Sequence, residues 1–128
     1  MTIQERVKRN KLHERWASDQ FTQMVKQAWR MRTQVIYTKD NLAGYTYTIS
    51  PSPYIKRIII IRKGYSMFDD FCTLIYELSR SGYFYNHRWE SFVWQNRRNG
   101  LRPKKDTERY VKRVIKFLLK IDGMSLPK

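Results

Sequence analysis

The longest uninterrupted apolar run in this chain is four isoleucines, Ile58 to Ile61, flanked by two arginines. β-Branched residues favour extended backbone, so the segment from Ile55 to Arg62 is predicted to be a strand. A helix that crosses a bilayer needs about 20 consecutive apolar residues, and the first residues lack the apolar stretch of a secretory signal. We therefore expect no membrane partner and an intracellular location, in the cytoplasm, nucleoid or nucleus.

Helical and strand patterns follow one another along the rest of the chain. Apolar residues at helical spacing from Phe21 to Trp29 predict a helix within residues 3–32, with a break near residue 18, where Ser18 or Asp19 could cap a new helix. β-Branched and aromatic runs predict strands at 34–38, 45–49 and 55–62, and helical spacing returns at 67–80 and at 87–96. Asp106 is predicted to cap a last helix, whose apolar stripe consists of Val111, Val114, Ile115, Leu118 and Ile121. The predicted fold is α+β, with an N-terminal helix, a small three-stranded sheet and then three helices.

The length of 128 residues is that of one domain, predicted over 1–128. Cys72 is the single cysteine, so no internal disulfide can form and no cysteine pair is present for a zinc finger. These observations fit a reducing compartment, and we expect no cofactor.

A segment of the fifth predicted element has the spacing of a known metal motif. In HExxH proteases two histidines four residues apart bind zinc, and the glutamate between them activates water. Here the residues from Thr73 to Ser81 read TLIYELSRS, with Tyr76, Glu77 and Arg80 at the three motif positions. We expect this helix to pack against the strand that contains Ile58 to Ile61.

The arrangement resembles the SprT-like (Spartan) zincins over about residues 10 to 100. That family has an N-terminal helix, a small sheet with a glycine turn and an edge strand, a TLLHELxHA helix, and then a GHG-x-x-F segment that donates a third histidine. The corresponding segments here are Asn41 to Tyr45, Ile58 to Ile61, the TLIYELSRS helix, and NHRWESF from Asn86 to Phe92. The resemblance implies a zincin-like fold with Glu77 at the catalytic position and His87 at the third ligand position, across a groove.

Two of the three ligand positions are changed in a way that opposes metal binding. Tyr76 is a poor zinc ligand compared with imidazole, and Arg80 places a positive charge where the ion would lie. An ion pair between Arg80 and Glu77 would fill the site. The resemblance therefore implies a pseudo-metalloprotease with no catalytic residues and no metal.

Positive charge is concentrated at the end of the sequence. The chain has 26 Lys and Arg against 11 Asp and Glu, a net charge of +15. Residues 97–128, a basic loop and helix appended to the zincin-like core, hold 11 of the cations and 3 of the acids. Such density is typical of phosphate binding. The predicted contacts are Arg97, Arg98, Arg102, Lys104, Lys105, Arg109, Lys112, Arg113, Lys116 and Lys120.

Two aromatic residues, Tyr83 and Tyr85, are predicted to bracket a loop beside the groove and to stack on unpaired bases. The sequence thus predicts a non-catalytic nucleic-acid-binding protein with low sequence specificity, with duplex DNA ahead of RNA as its partner. The alternative is an inhibitor or adaptor of mobile-element origin, whose basic surface binds another protein.

Overall fold

The computed structural model describes residues 11–39, 45–48, 55, 57–64, 66–80, 83–86, 91–94 and 104–127, with the backbone alone at 45–48, 83–86, 91–94 and Lys104. Groups of strands separate the helices in this part of the chain, which confirms the predicted α+β class. The elements in order are α1 (Lys11–Arg30), β1 (Thr33–Thr38), β2 (Tyr45–Thr48), β3 (Arg57–Arg62), α2 (Met67–Arg80), β4 (Tyr83–Asn86), β5 (Ser91–Trp94) and α3 (Lys104–Ile121).

Helix α1 runs without interruption through residue 18, so the predicted break there is wrong. Trp16 and Ala17 before that point and Phe21 after it are all buried. One continuous face therefore packs on the core, and tertiary packing outweighs the weak local signal of a cap at Ser18 or Asp19. The helix ends before Arg32, which has a left-handed φ of 59° and turns the chain into β1.

The sheet is built around β3. Strand β1 pairs with it in parallel, from Thr33 opposite Arg57 to Thr38 opposite Arg62. The backbone of β2 pairs with its other side in the antiparallel direction. The order is therefore β1-β3-β2, and the edge position that the zincin resemblance gave to Ile58 to Ile61 is wrong. A central strand with both edges paired suits a run of isoleucines better, because side chains on both of its faces can be buried.

Helix α2 packs on this sheet, as predicted. Phe71, Leu74, Ile75 and Leu78 are completely buried and share one core cluster with residues of β3. The start of the helix is held by two kinds of acceptor. The Ser66 hydroxyl oxygen accepts from the Asp69 amide at 3.0 Å. The Glu14 carboxylate of α1 accepts from the next free amides, those of Met67 at 2.8 Å and Phe68 at 3.2 Å.

A hairpin follows α2, where the sequence had predicted a short helix at 87–96. Residues 91–94 form β5, which pairs with β4 in the antiparallel direction, with Tyr83 opposite Trp94. Phe92, Val93 and Trp94 are strong strand formers, and the adjacent Tyr-Phe-Tyr segment of β4 supplies a partner that helical periodicity could not reveal. The part of the chain that the structure describes therefore has two helices after the sheet instead of the predicted three.

Helix α3 buries the stripe predicted for it. Val111, Val114, Ile115 and Leu118 join the core, although Ile121, which was predicted to lie on the same stripe, is 45% exposed. The helix begins at Lys104, so Asp106 lies in its first turn and is not the predicted cap. Beyond its end the Trp16 indole N–H of α1 donates to the Asp122 carboxylate at 2.7 Å.

The end of α3 depends on a glycine. Gly123 has a φ of +72°, and the amide of Met124 donates to the Leu119 carbonyl at 2.8 Å, closing the last turn. A Cβ at position 123 would meet no atom within 4 Å, so substitution there costs backbone strain alone. We expect Gly123→Ala to lower the free energy of unfolding by about 1 kcal/mol, measured by urea denaturation. Gly123→Asn should lose less, because asparagine tolerates this conformation; an alanine variant as stable as the parent would contradict the prediction.

Candidate nucleic-acid interface

The three motif positions on α2 do not share one environment. Tyr76 and Arg80 are half-buried and lie one turn apart on the same side of the helix, whereas Glu77 is only 4% exposed. The side chain of Tyr76 faces α3 across a groove. His87 lies outside the described residues, so its placement opposite Glu77 stays a prediction. In the part of the chain that the structure describes, no group of three His, Cys, Asp or Glu side chains could hold a metal ion.

The Nε atom of Arg80 is buried and has no hydrogen-bond partner among the described residues. The same is true of the hydroxyl of the neighbouring Ser79. The ion pair expected between Arg80 and Glu77 therefore stays a prediction. The side chains of Tyr83 and Tyr85 also lie outside the described set, but their backbone is in β4 and not at the edges of a loop.

A buried carboxyl group that the sequence did not single out lies at the other end of α2. Asp70 is 4% exposed and accepts the hydroxyl of Tyr37, from β1, and the amide of Gly64 at 3.0 Å. Burial raises the pKa of Asp70, and the negative charges of Asp69 and Glu14 raise it further against the opposing hydrogen bonds. The pKa of Tyr37 is also raised, first by burial and then by its bond to Asp70. These hydrogen bonds connect β1, the loop before α2 and α2 itself, and Tyr37 and Asp70 are 33 residues apart in the sequence.

The predicted phosphate contacts that the structure describes form one surface on α3, which we name the basic face. All of its side chains are exposed. At 3.6 residues per turn they lie within about 100° of the helix circumference and extend over roughly 22 Å of its length. Arg97, Arg98 and Arg102 lie outside the described residues, and only the backbone of Lys104 is described. The members of the basic face are Lys105, Arg109, Lys112, Arg113, Lys116 and Lys120.

Cations on the basic face are close to one another. Four pairs are spaced one turn apart, at i and i+4: Lys105 with Arg109, Arg109 with Arg113, Lys112 with Lys116, and Lys116 with Lys120. Each such like-charge pair costs a helix about 0.2–0.5 kcal/mol. An anion that lies along this surface would relieve that repulsion.

An apolar groove that the sequence did not predict borders the basic face. Its volume is about 420 Å³. Burial raises the pKa of the Cys72 thiol to about 12, so this side chain is an apolar wall and not a nucleophile at neutral pH. Lys112 belongs both to the groove and to the basic face. The groove is lined by Phe68, Cys72, Thr73 and Tyr76 of α2, by Glu108, Val111, Lys112 and Ile115 of α3, and by Leu126.

Comparisons with known proteins find no relative of this chain. The chain matches no protein-family model, no curated protein and no solved structure. The resemblance to SprT-like zincins therefore rests on the residues alone. None of the described helices combines the length and apolar character needed to cross a membrane.

Proposed function

We propose that this chain is a non-catalytic nucleic-acid-binding protein that holds duplex DNA, in preference to RNA, by its phosphates. The observation that carries the proposal is the basic face, on which six exposed cations share one side of a single helix. Its length of roughly 22 Å corresponds to about six base-pair steps at 3.4 Å each. Cations on successive turns of the helix can therefore contact successive phosphates along a DNA strand.

Phosphate contact supplies affinity without reading sequence. Each neutralised phosphate releases condensed counterions, and this gain is independent of the bases. The side chains of the basic face are lysine and arginine alone. Arginine can also read guanine edges, so low sequence specificity is expected because these cations are proposed to contact phosphates and not bases.

The proposal also includes the loss of an ancestral protease site in a SprT-like fold. Its support is the chemistry of the motif positions, since Arg80 carries a fixed charge where a zinc ligand is needed and Tyr76 offers a weak ligand. Glu77 lies in the buried part of α2, where access for water is restricted. These features support a role for α2 as a scaffold for the groove and for α3.

A salt titration tests the binding proposal on the unmodified protein. We expect affinity for a blunt duplex to fall steeply with salt, with a log–log slope of about −0.9 for each phosphate neutralised and a limit near −5 for the six described cations. Fluorescence anisotropy with two duplexes of unrelated sequence measures this slope. Poly-glutamate serves as the control polyanion, and we expect it to compete less well than DNA at equal charge. Absence of duplex binding at low salt would refute the proposal and favour a protein partner.

A further inference from the structure

The groove between α2 and α3 has the size and the lining of a ligand site. Its volume of about 420 Å³ is within the range of small-molecule pockets, roughly 300–1,000 Å³. The walls are apolar and aromatic, with Val111 and Ile115 at most 8% exposed and Phe68, Cys72 and Tyr76 half-buried. Polar side chains are limited to Thr73, Glu108 and Lys112, so most of an occupant's contact is with apolar surface.

The position of Lys112 determines what kind of occupant fits. This lysine lines the groove and also belongs to the basic face, with Lys116 one turn further along. An occupant that enters the groove therefore has phosphate-binding cations directly beside it. A nucleotide supplies both required groups, a flat base for the apolar walls and a phosphate for the cations. A purely apolar ligand would use the walls alone and make no contact with Lys112 or Lys116.

We propose that the groove takes one unstacked base of a nucleic-acid strand whose phosphates lie on the basic face. This inference rests on the proposed function and deepens it, because it names DNA with an unpaired segment next to a duplex as the preferred ligand. Tyr76 and Phe68 supply the ring surfaces on which the base stacks. Stacking tolerates any base, which agrees with a surface that does not read sequence.

The first test compares two probes that share one duplex, one blunt and one with a short single-stranded extension. Stacking of one base should make the extended probe bind roughly tenfold more tightly at the same salt concentration. Equal affinities for the two probes would overturn the inference and leave the proposed function intact. If neither probe binds at low salt, both proposals fail.

The second test locates the base on the unmodified protein, so it does not depend on a variant that folds. A single iodouracil is placed at the first unpaired nucleotide, the complex is irradiated, and the crosslinked peptide is identified by mass spectrometry. We expect the crosslink at Tyr76 or Phe68. Crosslinks confined to residues outside the groove would overturn the inference.

Variants then separate ring stacking from simple occupancy. Tyr76→Leu keeps an apolar side chain but removes the ring, and we expect it to lose most of the preference for the extended probe over the blunt one. Tyr76→Phe is the matched control and should retain the preference. A Tyr76→Leu variant that keeps both its fold, by circular dichroism, and the full preference would contradict stacking at this position.

Discussion

Replacing Lys112, Arg113 and Lys116 by alanine is expected to weaken duplex binding about equally for unrelated sequences and to reduce the salt slope by up to roughly three units. All three side chains are exposed and lie off the buried stripe of α3, so the helix and its packing should be retained. The physical reason is that each missing cation leaves one phosphate with its counterions. Anisotropy titrations at four or more salt concentrations give the slope of each protein.

The matched control removes three exposed cations from a different helix. Lys11, Arg15 and Lys26 lie on α1, and their replacement by alanine changes the net charge by the same amount. We expect the control triple variant to keep most of the slope. Equal losses in the two triple variants would mean that overall charge, and not the basic face, drives binding.

The second large effect concerns stability at the buried carboxyl group of α2. Asp70→Ala leaves the Gly64 amide without its carboxylate acceptor and leaves the Tyr37 hydroxyl with only the weak thioether acceptor of Met67 at 3.4 Å. Loss of a partner to a buried polar group costs about 1–3 kcal/mol, so we expect a fall of that size in the free energy of unfolding. Asp70→Asn keeps an oxygen acceptor and a group that can bond with Tyr37, and should lose much less. Urea denaturation of the three proteins measures both differences, and equal stability of the alanine variant and the parent would contradict the assigned bonds.

The same position gives a pH dependence with a definite sign. Because burial raises the pKa of Asp70 in the folded state above its ordinary value of 3.8, the folded protein holds this proton more tightly than the unfolded chain. Its contribution to stability is therefore greatest below that ordinary value and is lost as pH rises through the raised pKa. Asp70→Asn should gain stability relative to the parent as pH rises through this window. A relative gain that shrinks with rising pH would contradict the assigned direction.

Sequence periodicity was sufficient for the elements that pack through a single continuous face. The buried stripes of α2 and α3 and the three strand segments at 33–38, 45–48 and 57–62 all lie close to their predicted positions. It failed where a partner distant in sequence decides the structure. The β4–β5 hairpin is held by pairing between two short aromatic segments, and the central place of β3 depends on a parallel partner that ends nearly 20 residues earlier.

The candidate interface shows the same division. The exposed cations of α3 could be predicted because one helix carries both the apolar stripe and the charges, and their spacing fixes their side. The groove could not, because its walls come from two helices and from Leu126, and no pattern in either helix shows how they pack together. The structural role of Asp70 could not be predicted, because its hydrogen-bond partners lie on β1 and in the loop before α2.

The bond between Trp16 and Asp122 spans 106 positions of the chain, and it bears on how the protein is made. During synthesis α1 leaves the ribosome long before residue 122 is added, since chains grow from the N-terminus at about 5–20 residues per second. Phe71 and Phe68 of α2, whose rings contact that of Trp16, emerge earlier and can shelter it only in part. The nascent chain therefore carries an incompletely covered, positively charged helix until residue 122 has left the ribosome.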